Sequence, residues 1–120
     1  CSADLSELET APDGSLVAKD WGIRLSVKAE PGKHKYAAFR AHFFQVVPEP
    51  EETNVLECRI LRVIEDTFST VILFCNPERT GESPREVLTY ELPKEKWQEL
   101  QKHEKLYLKM PAEQIILLEK

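Results

Sequence analysis

The most regular alternation of apolar and polar residues lies in residues 54–76 and predicts a β-hairpin. Residues 56–60 place apolar side chains at every second position, as one face of a strand does. The alternation changes phase at Leu61, and this change predicts a β-bulge or a sharp coil near Ile60 and Leu61, because a straight strand would turn half of its apolar residues to water. The second arm, residues 68–75, is apolar on both faces apart from Ser69 and Thr70, as expected of a central strand or of one covered by an interface. We expect this hairpin to be the core of a β-rich module.

Shorter strand patterns precede and follow the hairpin. They predict strands over residues 3–8, 16–18, 21–27, 36–40, 43–47, 86–92, 106–110 and 115–118. Pro93 is suited to the first position of a helix, and Trp97 and Leu100 share one helical face, so we predict one short helix over residues 93–102. The last strand, residues 115–118, is apolar throughout and is predicted to be covered on both faces. The predicted fold class is mainly β.

An acidic, proline-containing segment, residues 48–53, is the best candidate for an internal boundary. It separates an N-terminal β segment, residues 1–47, from a C-terminal β-barrel module, residues 54–120. A chain of 120 residues fits one domain, or one compact unit of two tightly associated β subdomains. A polar loop is predicted over residues 29–35, with Pro31 and Gly32 at its centre. The chain begins at Cys1 rather than at Met, as a piece of a longer protein would.

Charge and composition disfavour several classes of protein. The net charge of −5 disfavours a nucleic-acid-binding barrel, which needs clustered basic residues. No apolar run approaches the roughly 20 residues that cross a bilayer, so we expect a protein that is neither membrane-spanning nor exported. Three cysteines without a disulfide framework indicate reduced thiols in the cytoplasm. The scattered histidines and the lack of a CxxC spacing argue against a zinc site.

Catalytic motifs are missing from the sequence. It contains no glycine-rich phosphate loop, no GxGxxG and no GxSxG. Glu57 with Glu65 or Asp66 is a conceivable carboxylate pair, but a turn carboxylate beside a strand carboxylate is usually solvated surface. Cys58 with His42 is a conceivable nucleophile pair, but nothing in the sequence shows that the two side chains meet. We therefore predict that this chain is not an enzyme and has no catalytic residue.

The most suggestive polar segment is Phe39-Arg40-Ala41-His42, where a predicted strand ends. Arg40 and His42 are side chains that can bind an anion or a backbone carbonyl. The simpler interpretation is that Arg40 pairs with an acid of a neighbouring strand and stabilises a barrel corner.

These residues carry a family resemblance. The segment Phe39-Arg40-Ala41-His42-Phe43 resembles the IRPE or IRAHH segment of TOBE domains, the β modules that follow the nucleotide-binding domain in ATP-binding subunits of ABC importers. Asp20-Trp21-Gly22-Ile23 resembles the short strand before it, and Cys1-Ser2 the entry into the module. Residues 58–74, 88–91 and 111–118 are similar to the C-terminal half of such modules in molybdate or tungstate importers.

The resemblance implies an oligonucleotide-binding-like (OB-like) barrel that helps an ATPase subunit to dimerise and that can sense the imported solute. It implies a parent transport ATPase at the inner face of the cell membrane, with partners in its own nucleotide-binding domain and a membrane permease. The ATP and Mg²⁺ site would belong to an upstream domain outside this chain. The Ser-Ala-Arg-Asn oxyanion motif of Mop-type modules does not occur here. A site for molybdate, tungstate or sulfate would instead use Arg40 and His42, with Arg24 and Ser69 as weaker candidates.

Two hypotheses follow, from different classes. The first is an accessory and regulatory domain that forms a homodimer, because the strands at residues 71–74 and 115–118 are apolar on both faces and require more cover than one short helix provides. The second is an oxyanion-binding sensor. A nucleic-acid-binding barrel is a third and less favoured alternative.

Overall fold

The structure, a computed structural model, describes residues 3–27 and 34–119, and its regular secondary structure is mainly β. The strands are β1 (Ala3–Thr10), β2 (Leu16–Ala18), β3 (Ile23–Leu25), β4 (Tyr36–Arg40), β5 (Gln45–Val47), β6 (Val55–Glu57), β7 (Arg59–Glu65), β8 (Ser69–Cys75), β9 (Leu88–Pro93), β10 (Tyr107–Lys109) and β11 (Ile116–Leu118). Helix α1 is Lys94–Leu100, and Pro84–Glu86 and Ala112–Gln114 form single 3-10 turns. The predicted mainly β fold with a short helix near residues 93–102 is confirmed. Cys1, Ser2 and residues 29–33 of the predicted loop lie outside the described residues.

The strands form three antiparallel sheets. The first sheet has the order β11-β4-β1-β2-β3, the second β5-β10-β6 and the third β7-β8-β9. Each sheet turns its apolar side chains towards a shared core, an arrangement compatible with a small OB-like barrel.

The chain on the two sides of residues 48–53 shares two of the three sheets. Strand β11 pairs with β4, and β10 pairs with both β5 and β6. The loop at residues 48–53 therefore connects two strands of the second sheet, β5 and β6, which both pair with β10.

The predicted hairpin is present as β7 and β8. The register shifts between Ile60 and Arg62, so Leu61 is the extra residue of a bulge at the position where the sequence changes phase. β8 pairs with β7 on one side and with β9 on the other, so the prediction of a central strand is confirmed.

An aromatic cluster fills the centre of the core. The ring of Phe44 lies 4.7 Å from that of Phe39, 5.5 Å from that of Phe74 and 5.8 Å from that of Tyr90, measured between centroids. The four rings come from β4, β8, β9 and the connection before β5, so this cluster joins the first and third sheets. Trp21 is also completely buried.

The prediction that residues 115–118 are covered on both faces is wrong. Ile115 is buried, but Ile116 is 41% exposed and Leu118 is 36% exposed. β11 is the edge strand of the first sheet and pairs only with β4 among the described strands. Its inward side chain, Leu117, packs against the core, whereas its neighbours point outwards.

Candidate functional site

The most exposed apolar surface of the described chain lies along β7 and the turn that follows it. Ile60, Leu61 and Ile64 are 42%, 38% and 41% exposed, and Phe68 is 86% exposed. β7 is an edge strand of the third sheet and pairs with β8 alone in the described part of the chain. We call this set of four residues the β7 surface. Exposed apolar edge strands of this kind are sites of association between chains.

The face of the third sheet that points away from the core extends this surface beside Ile64. On β8, Thr70, Ile72 and Phe74 point into the core and are buried, whereas Val71 and Leu73 point outwards and are only half-buried. Val71 is the register partner of Ile64, so their side chains share this outer face.

A groove lies beside the β7 surface, between β7 and α1. Its volume is about 320 Å³, and Ile60, Val63, Trp97 and Leu100 contribute apolar walls. The sequence places Trp97 and Leu100 one helical turn apart, and this spacing turns both side chains towards the sheet. We call this cavity the α1 groove. A second cavity of about 340 Å³ shares Leu100 with it and continues towards β5.

Phe68 lies next to the start of α1. The backbone oxygen of Phe68 accepts a 3.5 Å contact from the backbone N–H of Lys94, the first residue of the helix. The sequence predicted the hairpin but carried no signal that this aromatic residue is exposed, because its position after the turn is equally suited to a buried strand residue.

The charges along β7 are separated by sign. Arg59 and Arg62 lie in its first half, and Glu65 and Asp66 lie at its end and in the turn. The guanidinium group of Arg59 also donates hydrogen bonds to the backbone oxygens of Arg79 (2.6 Å) and Thr80 (2.9 Å). These bonds hold the loop after β8 against the start of β7.

Arg40 and His42, the first candidates for an anion site, are both exposed at the turn after β4. The His42 ring packs on the Phe43 ring at 4.4 Å between centroids, and the Phe43 N–H donates to the Arg40 oxygen at 3.1 Å. Ala41 accepts a hydrogen bond of 3.1 Å from the backbone N–H of Glu91, so the turn is attached to β9 through main-chain atoms. The two side chains share one turn, and both are open to solvent.

Arg24, a weaker candidate for the anion site, lies away from the turn that holds Arg40 and His42. It is on β3, which is separated from β4 by β1 and β2, a span of about 14 Å at the usual strand spacing. Its guanidinium group is 3.7 Å from the carboxylate of Asp13. It also lines a cavity of about 380 Å³ whose other charged residues are Glu51, Glu52, Glu57 and Glu78. This surrounding negative charge is unfavourable for an anion.

Ser69 is the first residue of β8, in the third sheet, where it pairs with Pro93. Its backbone oxygen accepts the 2.8 Å hydrogen bond from Asp66 that closes the hairpin turn. The structure therefore groups Arg40 with His42, and places Arg24 and Ser69 on other sheet positions.

The thiol of Cys58 lines the α1 groove and is mostly buried. Burial raises the pKa of this thiol far above its ordinary value, and the nearby Glu57 carboxylate adds to the effect. The thiol therefore stays protonated at neutral pH, whereas a nucleophilic cysteine needs the thiolate.

Within residues 3–27 and 34–119, no three His, Cys, Asp or Glu side chains converge as a metal site would require. Across the same residues, every helical segment is too short or too polar to span a bilayer.

No protein-family model matches the chain, and no curated protein sequence matches it.

Proposed function

We propose that this chain is a non-catalytic accessory domain of the TOBE type, from the ATP-binding subunit of an ABC importer, and that it acts by associating with a second copy of itself. The observation that supports it best is the β7 surface, where an edge strand exposes three large apolar side chains, Ile60, Leu61 and Ile64, and the following Phe68 exposes a fourth. The family and the cytoplasmic location rest on the resemblance of residues 39–43 and of the hairpin to such domains.

The solution mass of the 120-residue chain tests the association. Sedimentation equilibrium from low to high micromolar concentration is expected to fit a reversible monomer–dimer equilibrium. A mass that stays at 13.8 kDa throughout this range would overturn the proposal.

The importer assignment has a separate test in the coding sequence upstream of Cys1. A phosphate-binding loop of the GxxxxGK[ST] type is expected on the same polypeptide. An upstream sequence that encodes a different kind of domain would remove the importer assignment and leave the association unaffected.

An oxyanion sensor is the second candidate, and the exposure of Arg40 and His42 at one turn is the observation in its favour. Titration calorimetry with molybdate, tungstate and sulfate tests it. Heat that saturates and is lost in Arg40→Ala, but not in Arg24→Ala, would support a site at this turn. Absence of heat at millimolar anion would exclude the sensor for this chain.

A further inference from the structure

The β7 surface contains a protruding aromatic residue, Phe68. The α1 groove, an apolar cavity, lies on a neighbouring part of the same molecule. Phe68 exposes 86% of its surface, which is exceptional for a residue of its size in this chain. Trp97, one turn into the helix whose first residue contacts Phe68, lines the groove. An interface between two identical copies related by a two-fold axis needs both complementary features on the same surface, and this surface has them.

The groove is large enough for the phenyl ring. A cavity of roughly 150 Å³ lined by apolar side chains holds benzene, and the α1 groove has about 320 Å³. Four apolar walls, Ile60, Val63, Trp97 and Leu100, match an aromatic ring in polarity, and the lining also includes the polar residues Gln101, His103 and Glu104. A buried aromatic anchor surrounded by apolar and polar contacts is typical of a strong protein interface.

The charge pattern of β7 selects a second copy as the occupant. When two β7 strands run antiparallel, the half with Arg59 and Arg62 lies beside the half with Glu65 and Asp66 of the other copy. Arg62, Glu65 and Asp66 form no ion pair with another described residue, so their charges remain available. A parallel arrangement would bring like charges together.

We propose that two copies of this chain associate with their β7 strands antiparallel, and that Phe68 of each copy inserts into the α1 groove of the other. The inference rests on the self-association proposed above and adds the surface that mediates it. Because the contact is reciprocal, each dimer contains two equivalent insertions.

Phe68→Ala tests the inserted side chain. The residue is almost fully exposed, so the fold and the thermal unfolding of the monomer are expected to be unchanged, while the dimer dissociation constant rises by about thirtyfold or more, as for a central aromatic anchor. Ile116→Ala is the matched control, because Ile116 is an exposed apolar residue on the edge of a different sheet. The dimer dissociation constant of Ile116→Ala is expected to equal that of the wild type.

A mixing experiment tests reciprocity. Ile60→Glu places a charge in the wall of the groove at a position that is already 42% exposed. Homodimers of Phe68→Ala and of Ile60→Glu contain no intact insertion, but a mixed dimer contains one, formed by Phe68 of the Ile60→Glu chain and the unchanged groove of the Phe68→Ala chain. Sedimentation of the equimolar mixture is expected to show more dimer than either variant alone.

The possible results separate the two proposals. A wild-type dimer that is unaffected by Phe68→Ala, or a mixture that gains no dimer, overturns the insertion and leaves self-association in place. A wild-type chain that is monomeric at high micromolar concentration overturns both.

Discussion

The side chain of Asn54 pairs with both backbone groups of Ser26. Its carbonyl oxygen accepts the Ser26 N–H at 2.8 Å, and its amide nitrogen donates to the Ser26 oxygen at 3.1 Å. The main chain of Asn54 also binds Arg24 and Met110, at 2.9 and 2.7 Å, so this buried residue connects the end of β3 with the end of β10. It adopts a left-handed conformation, with φ of 64°.

Asn54→Ala is therefore expected to lower the free energy of unfolding by about 2 to 4 kcal/mol, from two lost hydrogen bonds and from a methyl group held in the left-handed region. Asn54→Gly removes the same hydrogen bonds without the strain, so it should be about 1 kcal/mol less destabilising than Asn54→Ala. Urea unfolding of the three proteins measures both differences. Equal stability of the Ala and Gly variants would show that the backbone conformation contributes nothing.

Asp4, at the contact between β1 and β9, makes the free energy of unfolding depend on pH. Its carboxylate accepts a 2.7 Å hydrogen bond from the backbone N–H of Thr89, yet burial outweighs this bond and raises the pKa of Asp4 from 3.8 to about 6. Between these two pH values the folded chain binds more protons at Asp4 than the unfolded chain does. The free energy of unfolding therefore falls as pH rises from about 4 to 6, and the loss is complete above that window.

Asp4→Asn keeps an oxygen acceptor for the Thr89 N–H and removes the titration. We expect this variant to be more stable than the wild type by about 1 to 3 kcal/mol at pH 7 and by almost nothing at pH 4. Urea unfolding at the two pH values measures the difference. Glu9→Gln, at an exposed carboxylate of the same strand, is the control and should show no such pH-dependent gain. An Asp4→Asn variant whose free energy of unfolding equals that of the wild type at pH 7 would contradict the raised pKa of Asp4.

Thr70 is a polar residue in the apolar core. Its hydroxyl group is buried and has no hydrogen-bond partner among the described residues, and its neighbours Ile72 and Phe74 on the same face of β8 are also buried. Thr70→Val replaces this hydroxyl with a methyl group of similar size, so stability is expected to rise by about 1 to 2 kcal/mol. Thermal or urea unfolding tests this, and a loss of stability would mean that the hydroxyl group has a partner in solution.

The sequence predicted the elements of the third sheet well because their signals are local. The two-residue period, its change of phase at Leu61 and the turn residues determine a bulged hairpin without reference to the rest of the chain. The expectation that the bulge would remove apolar residues from water was wrong, since Ile60 and Leu61 remain exposed. Periodicity defines the faces of a strand, but it does not determine whether another element covers them.

Features that depend on distant contacts could not be predicted. The exposure of Ile116 and Leu118 follows from the edge position of β11, which depends on pairing with β4, almost 80 positions earlier in the sequence. The roles of Asp4 and Asn54 likewise depend on Thr89 and Ser26, which lie in other elements. The separation of Arg24 from Arg40 is also a consequence of strand order rather than of local sequence.

A substitution at Gly22 tests the contact between the first sheet and the loop after β8. It has a φ of 75°, and a Cβ atom there would lie 2.9 Å from the side-chain nitrogen of Asn76 and 3.3 Å from the guanidinium group of Arg79. These side chains hold the loop in place, because Asn76 donates to the Gly22 oxygen at 3.2 Å and Arg79 donates to the Lys19 oxygen at 3.1 Å. Gly22→Ala should therefore strain the backbone and also displace both hydrogen bonds.

Gly14→Ala is the matched control, because Gly14 has a φ of 89° and open space around the added methyl group. We expect Gly14→Ala to cost about 1 to 2 kcal/mol from strain alone and Gly22→Ala to cost a further 1 to 2 kcal/mol. If the excess comes from the displaced side chain, it should shrink when Gly22→Ala is made in an Asn76→Ala background, a double-mutant cycle measured by urea unfolding. An excess that persists unchanged in that background would place the cost in the turn between β2 and β3 rather than in its contact with the loop.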